Sequence, residues 1–206
     1  GVAVVLGVVG VYMIKKLKRN YCIVKYRNLP LQHFDKESYS DILYHPKCEG
    51  FYWMKLPESK KDNSKDLINE LIELIGNLNI EKLIFLDEID KPWISKFTAK
   101  RDDFKKITKA LDYFKSKKIW NKFNGGVLVS RDELKDFLPN FYKITESDSS
   151  FFFYNFIDEE QKIIFYIHYS GEISVKTLNK KINSEFLKLI KKTKFIDSNR
   201  ENTSRI

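Results

Sequence analysis

Fourteen apolar residues, Gly1 to Ile14, run without a polar break into Lys15, Lys16, Lys18 and Arg19. A stretch of this kind with a positive flank is the pattern of a membrane anchor, and it constrains where every later residue works. A helix rising about 1.5 Å per residue needs roughly 20 apolar residues to cross a hydrocarbon core, so either residues precede Gly1, the preferred expectation, or Tyr12 and the lysine stems complete the crossing at the interface. A signal peptide carries its charge before the apolar stretch and a small-residue cleavage site after it, the reverse of what is found here. A strand of fourteen residues would be unusually long, and Gly1, Gly7 and Gly10 would weaken it. The sequence therefore predicts an anchor over residues 1–19, single-pass, with the rest of the chain facing the cytoplasm, because flanking lysines and arginines tend to stay on that side.

Charge follows the same geography. The first acidic residue is Asp35, so Lys15, Lys16, Lys18, Arg19, Lys25 and Arg27 stand unopposed and supply +6 of a formal net charge of +9. A basic excess beside an anchor suits an anionic leaflet, where each such residue contributes about 1 kcal/mol, better than it suits a nucleic-acid groove. The bases are also nearly all lysines, whereas guanine and phosphate are read most often by arginine forks. No specific nucleic-acid binding is expected. Two cysteines, Cys22 and Cys48, make no disulfide framework, and with His33 and His45 they lack the paired short spacings of a zinc site. No cofactor is expected.

Along the body, YCIVKY (21–26) and FYWMKL (51–56) are rich in aromatic and β-branched residues and read as strands, with at least a helical turn expected between Asp35 and Tyr44. A polar loop, PESKKDN, leads to a helix capped at Ser64, with Leu67, Leu71, Leu74 and Leu78 on one face and Gly76 at its end. KLIFLD (82–87) is a nearly continuous apolar strand, followed by a helix over roughly 102–117 on Phe104, Ile107, Leu111 and Phe114. VLVS (127–130) is a strand, and Ser130 with Glu133 forms a capping box for a short helix that Pro139 ends. This alternation predicts an α/β fold with right-handed crossovers and parallel strands at the centre of its sheet, an α+β arrangement being the alternative. The last third predicts an antiparallel hairpin, 150–157 with 162–169, a turn at Gly171 into EISVK, and a basic amphipathic helix over 177–194. One mixed-sheet domain with flanking helices should span 20–196, and residues 197–206 read as a disordered tail.

The segment LIFLDEID (83–90) resembles the Walker B strand of AAA-type ATPases, which implies magnesium ordering by Asp87 and water activation by Glu88. The G-x-x-x-x-G-K-[ST] loop that should cradle the phosphates is missing, and PESKKDNSK stands after the earlier strand instead. What survives is a weaker site, with Asp87, Glu88 and Asp90 at the end of a strand as candidate ligands for a divalent cation. His168 sits in an alternating strand pattern as a polar-face residue, and neither it nor His33 or His45 adjoins a recognisable nucleophile.

Phe151, Phe152, Phe153 and Tyr154 must point rings to both sides of a strand, so one set is expected as a partner-binding surface. The functional expectation is a membrane-anchored, cytoplasm-facing domain that binds another protein, such as an immunity-type inhibitor or accessory subunit. The bias toward Lys, Ile, Asn and Phe fits a bacterial, AT-rich genome. Two alternatives remain: a metal-dependent enzyme built on Asp87, Glu88 and Asp90, and a lysine-rich adaptor for membrane surfaces or nucleic acid.

Overall fold

The computed structural model describes residues 13–101 and 105–206. Strand β1 (Ile14–Leu17) leads into helix α1 (Arg19–Lys25). Strands β2 (Leu31–Asp35) and β3 (Ser40–Tyr44) form a hairpin, and β4 (Gly50–Lys55), α2 (Ser64–Asn77) and β5 (Lys82–Asp87) follow. Helices α3 (Lys96–Ala99) and α4 (Lys105–Ser116) precede β6 (Gly126–Ser130), which turns through a 3-10 segment into α5 (Leu134–Ser147). The chain closes with β7 (Tyr154–Asp158), β8 (Ile163–Ile167), β9 (Ile173–Thr177), α6 (Lys180–Ile190) and β10 (Ile196–Asp197).

Eight strands make one sheet in the order β1-β6-β5-β7-β8-β9-β4-β10, while β2 and β3 make a separate pair. Every paired neighbour in the large sheet is antiparallel, which overturns the expected parallel centre. The reason is visible at β6-α5-β7. Both strands run antiparallel to β5, hence parallel to each other, but β5 lies between them. Alternation of helices and strands does not decide which strand fills the gap. The fold is mixed α/β in content with a large antiparallel sheet, and the late hairpin β7–β8 and the turn at Gly171 (φ +89°) into β9 are as expected.

Helices α2, α4, α5 and α6 cover one face of the sheet. Phe85 lies at its centre, with ring centroids 4.4 Å from Phe156, 4.7 Å from Phe137 and 5.3 Å from Phe141. Helix α5 continues through Pro139 rather than ending there. A proline inside a helix costs about 3 kcal/mol. Burial of Phe137, Leu138, Phe141, Tyr142 and Ile144 on both sides of it more than offsets that, since each contributes about 1.5–3 kcal/mol. Trp93 donates its indole N–H to the Gly125 carbonyl at 2.7 Å, and a Cβ at Gly125 would come within 1.9 Å of the Leu17 carbonyl oxygen.

The opposite face is covered over part of its width. Leu17, Cys22, Tyr26 and Leu29 pack there with Ile84, Leu86, Ile157 and Ile164. This packing makes residues 19–25 helical where a strand was expected. Cys22, Tyr26 and Leu29 recur at intervals of four and three, so a helix and the turn after it bring all three to the sheet. Tertiary burial overrides the β-leaning composition. Residues 197–206, expected to be disordered, pack along β4. Ile196 and Asp197 pair with Lys55 and Met54, Ser204 N–H donates to Phe51 O at 2.7 Å, and the Arg200 guanidinium lies 3.6 Å from the Trp53 ring centre.

Candidate protein interface

The acidic turn after β5 disperses its carboxylates. Asp87 is buried, with Oδ1 accepting from Ile89 N–H at 2.7 Å and Oδ2 2.6 Å from Lys91 Nζ. Glu88 is also buried, and its Oε1 accepts from Asn155 Nδ2 at 2.8 Å. Asp90 is exposed and accepts from Asn124 Nδ2 at 2.6 Å. Burial pushes the Asp87 carboxyl up against the opposing pull of Lys91, and it pushes Glu88 up against the hydrogen bond from Asn155. Among the described residues no three His, Cys, Asp or Glu side chains are grouped to hold a metal ion. The segment after β4 that would have to supply a phosphate cradle is also misplaced, because β9, β8 and β7 separate β4 from β5. The turn serves as a structural clamp: Arg19 donates to the Asp87 carbonyl at 2.9 Å and to the Glu88 carbonyl at 3.3 Å.

That geometry also engages one residue of the basic flank. Lys15, Lys16 and Lys18 are exposed, whereas Arg19 is buried and spends its guanidinium on the β5 turn. Residues 1–12, which carry most of the expected anchor, lie outside the described residues, as does Phe104. Among the described residues no helix is long and apolar enough to cross a membrane. Ile14 begins a strand paired with β6, so the expected anchor boundary at residue 19 overlaps the folded domain by a strand and the start of α1.

The late aromatic run divides. A 3-10 turn over Ser149–Phe151 replaces the start of the expected strand and breaks its two-residue alternation. Phe151 and Tyr154 are core, 5.9 Å and 4.3 Å from the Trp93 ring. Phe152 is half-buried and stacks on Tyr169 at 4.9 Å, and Phe153 is exposed. Phe156 and Asn155 are buried, so no continuous aromatic stripe reaches the surface here.

A second run of exposed apolar side chains lies between Leu31 and Tyr44. Between Asp35 and Tyr44, where a helical turn was expected, the chain makes the β2–β3 hairpin. Asp35 fixes the turn by accepting from Glu37 N–H, Ser38 N–H and Ser38 Oγ–H at 3.3, 3.1 and 2.6 Å, and Tyr39 takes the left-handed φ of +50°. Phe34, Tyr39, Ile42, Leu43 and Tyr44 all point outward, 37% to 85% exposed. The arm is anchored at its base. Gln32 N–H donates to the Glu88 carbonyl at 2.9 Å, the Glu88 N–H donates to Phe153 O, and beyond the arm Glu49 N–H donates to Thr177 O at 2.8 Å. His45 Nδ1 lies 3.3 Å from Lys176 Nζ, a half-buried cation whose pKa burial pushes down. The signal that could have found the hairpin is local: LQHF and DILY are short runs flanking DKESYS, a segment rich in turn-forming residues.

Cys22 is buried and its thiol is pushed up by that burial, while Cys48 is exposed; the two form no disulfide. Comparison of the chain with protein-family models, with curated proteins and with solved structures found no match.

Proposed function

We propose that this protein is a membrane-tethered, cytoplasm-facing domain that binds another protein, in the manner of an inhibitor or accessory subunit, and that the β2–β3 arm is its contact element. One observation carries the reading: five large apolar side chains stand outward on an arm fixed at its base to the body. An isolated two-stranded hairpin is marginal in water, and covering a side chain such as Ile42 or Phe34 contributes up to about 1.5–3 kcal/mol. A partner that covers the arm gains from both. The tether rests on the apolar run 1–14 and on the exposed Lys15, Lys16 and Lys18, the first two of them within β1. The dispersal of Asp87, Glu88 and Asp90 weighs against the metal-dependent alternative.

Site-specific photocrosslinking in cells that naturally make the protein tests this. A benzophenone side chain at Ile42, Leu43 or Tyr44 should give a protein adduct of defined mass, and the same group at Lys192, exposed after α6, should not. Equal labelling at all four positions, or none at the arm, overturns the assignment.

A further inference from the structure

The outer edge of β3 carries more information than its side chains. Among the described residues β3 pairs only with β2, and its other edge pairs with nothing. Which backbone groups face that edge follows from one hydrogen bond. Gln32 sends its N–H to the Glu88 carbonyl, away from β3, so Gln32–Leu43 is a non-hydrogen-bonded pair of the hairpin. By alternation Phe34–Asp41 is the other such pair, and Asp41 and Leu43 direct their N–H and C=O groups outward. Edges of this kind are normally blunted by lysine, proline or a bulge. Here β3 reads Ser-Asp-Ile-Leu-Tyr, with all five residues exposed and Asp41 as its single charge.

Charge narrows what can add to it. Residues 31–44 contain Asp35, Glu37 and Asp41 against Lys36, a balance of −2 on a chain of +9. The Asp35 carboxylate is held within the turn. Asp41 remains as the anion beside the open backbone edge.

Resting on the protein-binding reading above, we propose that the outer edge of β3 accepts an extended segment of the partner protein as a third strand. That segment carries a basic side chain facing Asp41, alternating with apolar residues that lie on the other face against Ile42 and Tyr44. Main-chain hydrogen bonds to Asp41 and Leu43 supply the pairing, and the alternating side chains supply selectivity.

The probes are three nine-residue peptides, blocked at both termini. The first alternates valine and lysine, the second replaces lysine by glutamate, and the third is the lysine peptide N-methylated at every second residue of each edge, so that neither edge can pair. With the full chain in detergent micelles, the lysine peptide should slow amide exchange at Asp41 and Leu43 and bind about fivefold more tightly than the glutamate peptide. The N-methylated peptide should fail, and Leu43→Pro should abolish protection at Asp41 while Leu43→Ala retains it. Binding of the N-methylated peptide, equal binding of both charges, or unchanged exchange at Asp41 and Leu43 overturns strand addition. The two readings separate in cells. An arm adduct that survives Leu43→Pro means side-chain docking without an added strand, whereas loss of adducts at every arm position in the parent chain removes the protein-binding reading itself.

Discussion

On the helical face of the large sheet, Phe85 has three phenylalanine rings within 5.3 Å and no exposure, whereas on the arm Phe34 has one ring neighbour, Tyr39 at 6.0 Å, and both remain in solvent. The residue types are the same. What differs is the number of layers: the sheet has helices on one side and α1 on part of the other, and the arm is a single two-stranded layer whose outward side chains no described residue covers fully. Apolar residues therefore stabilise the fold in one place and remain available in the other.

The sharpest way to break this contrast is to truncate both sites. Phe85→Ala removes a ring that three others enclose and should lower stability by about 3–5 kcal/mol, read as a large fall in the denaturant midpoint. A loss under about 1 kcal/mol would mean that the helical face is loosely packed. Arg19→Ala should cost about 1–3 kcal/mol, because two carbonyls of the β5 turn lose their donor at a buried site. A neutral outcome would return Arg19 to the membrane flank.

Glu88 gives a pH-dependent test. Burial raises its carboxyl above the ordinary value of 4.5, so the native state favours the protonated form. The corresponding stability is fully present below about pH 4.5 and is lost as pH rises through the raised native value. Glu88→Gln should flatten the stability profile in that window, measured by denaturant titration at a series of pH values. An unchanged slope would mean that the Asn155 bond compensates for burial entirely. On the arm, Ile42→Lys should move stability by no more than about 0.5 kcal/mol, as an exposed substitution does, while abolishing the arm photoadduct. Cooperative destabilisation by Ile42→Lys would show that the arm belongs to the core after all.

Much of the helical face was legible in the sequence because its signals are periodic and long. Leu67, Leu71 and Leu74 mark α2, Ile182, Phe186 and Ile190 mark α6, and KLIFLD is a strand closed in by both faces of the sheet. Strand direction was not legible, since nothing local places β5 between β6 and β7. Helix α1 was hidden because its seven residues look like a strand until Cys22 and Tyr26 meet the sheet. The arm was hidden for the opposite reason. Burial periodicity is the main guide to strands, and a hairpin exposed along all of β3 produces none. For the candidate site, residue type pointed to Asp87 and Glu88, but the directions their side chains take depend on the backbone, which sends one to Lys91 and the other to Asn155.

The place of β4 has a consequence for how the chain is made. Its residues leave the ribosome well before their partners: Tyr52 pairs with Val175 and Met54 with Asp197, more than a hundred positions later. Until those segments appear, β4 has two open edges, and α2, already able to coil, has no finished sheet on which to lay Leu67, Leu71 and Leu74. Translation must reach Asp197 before both edges of β4 can be covered. A nascent chain stalled before β9 would expose the aromatic segment Phe51–Trp53 on an unpaired strand, the state most open to misassembly and to proteolysis.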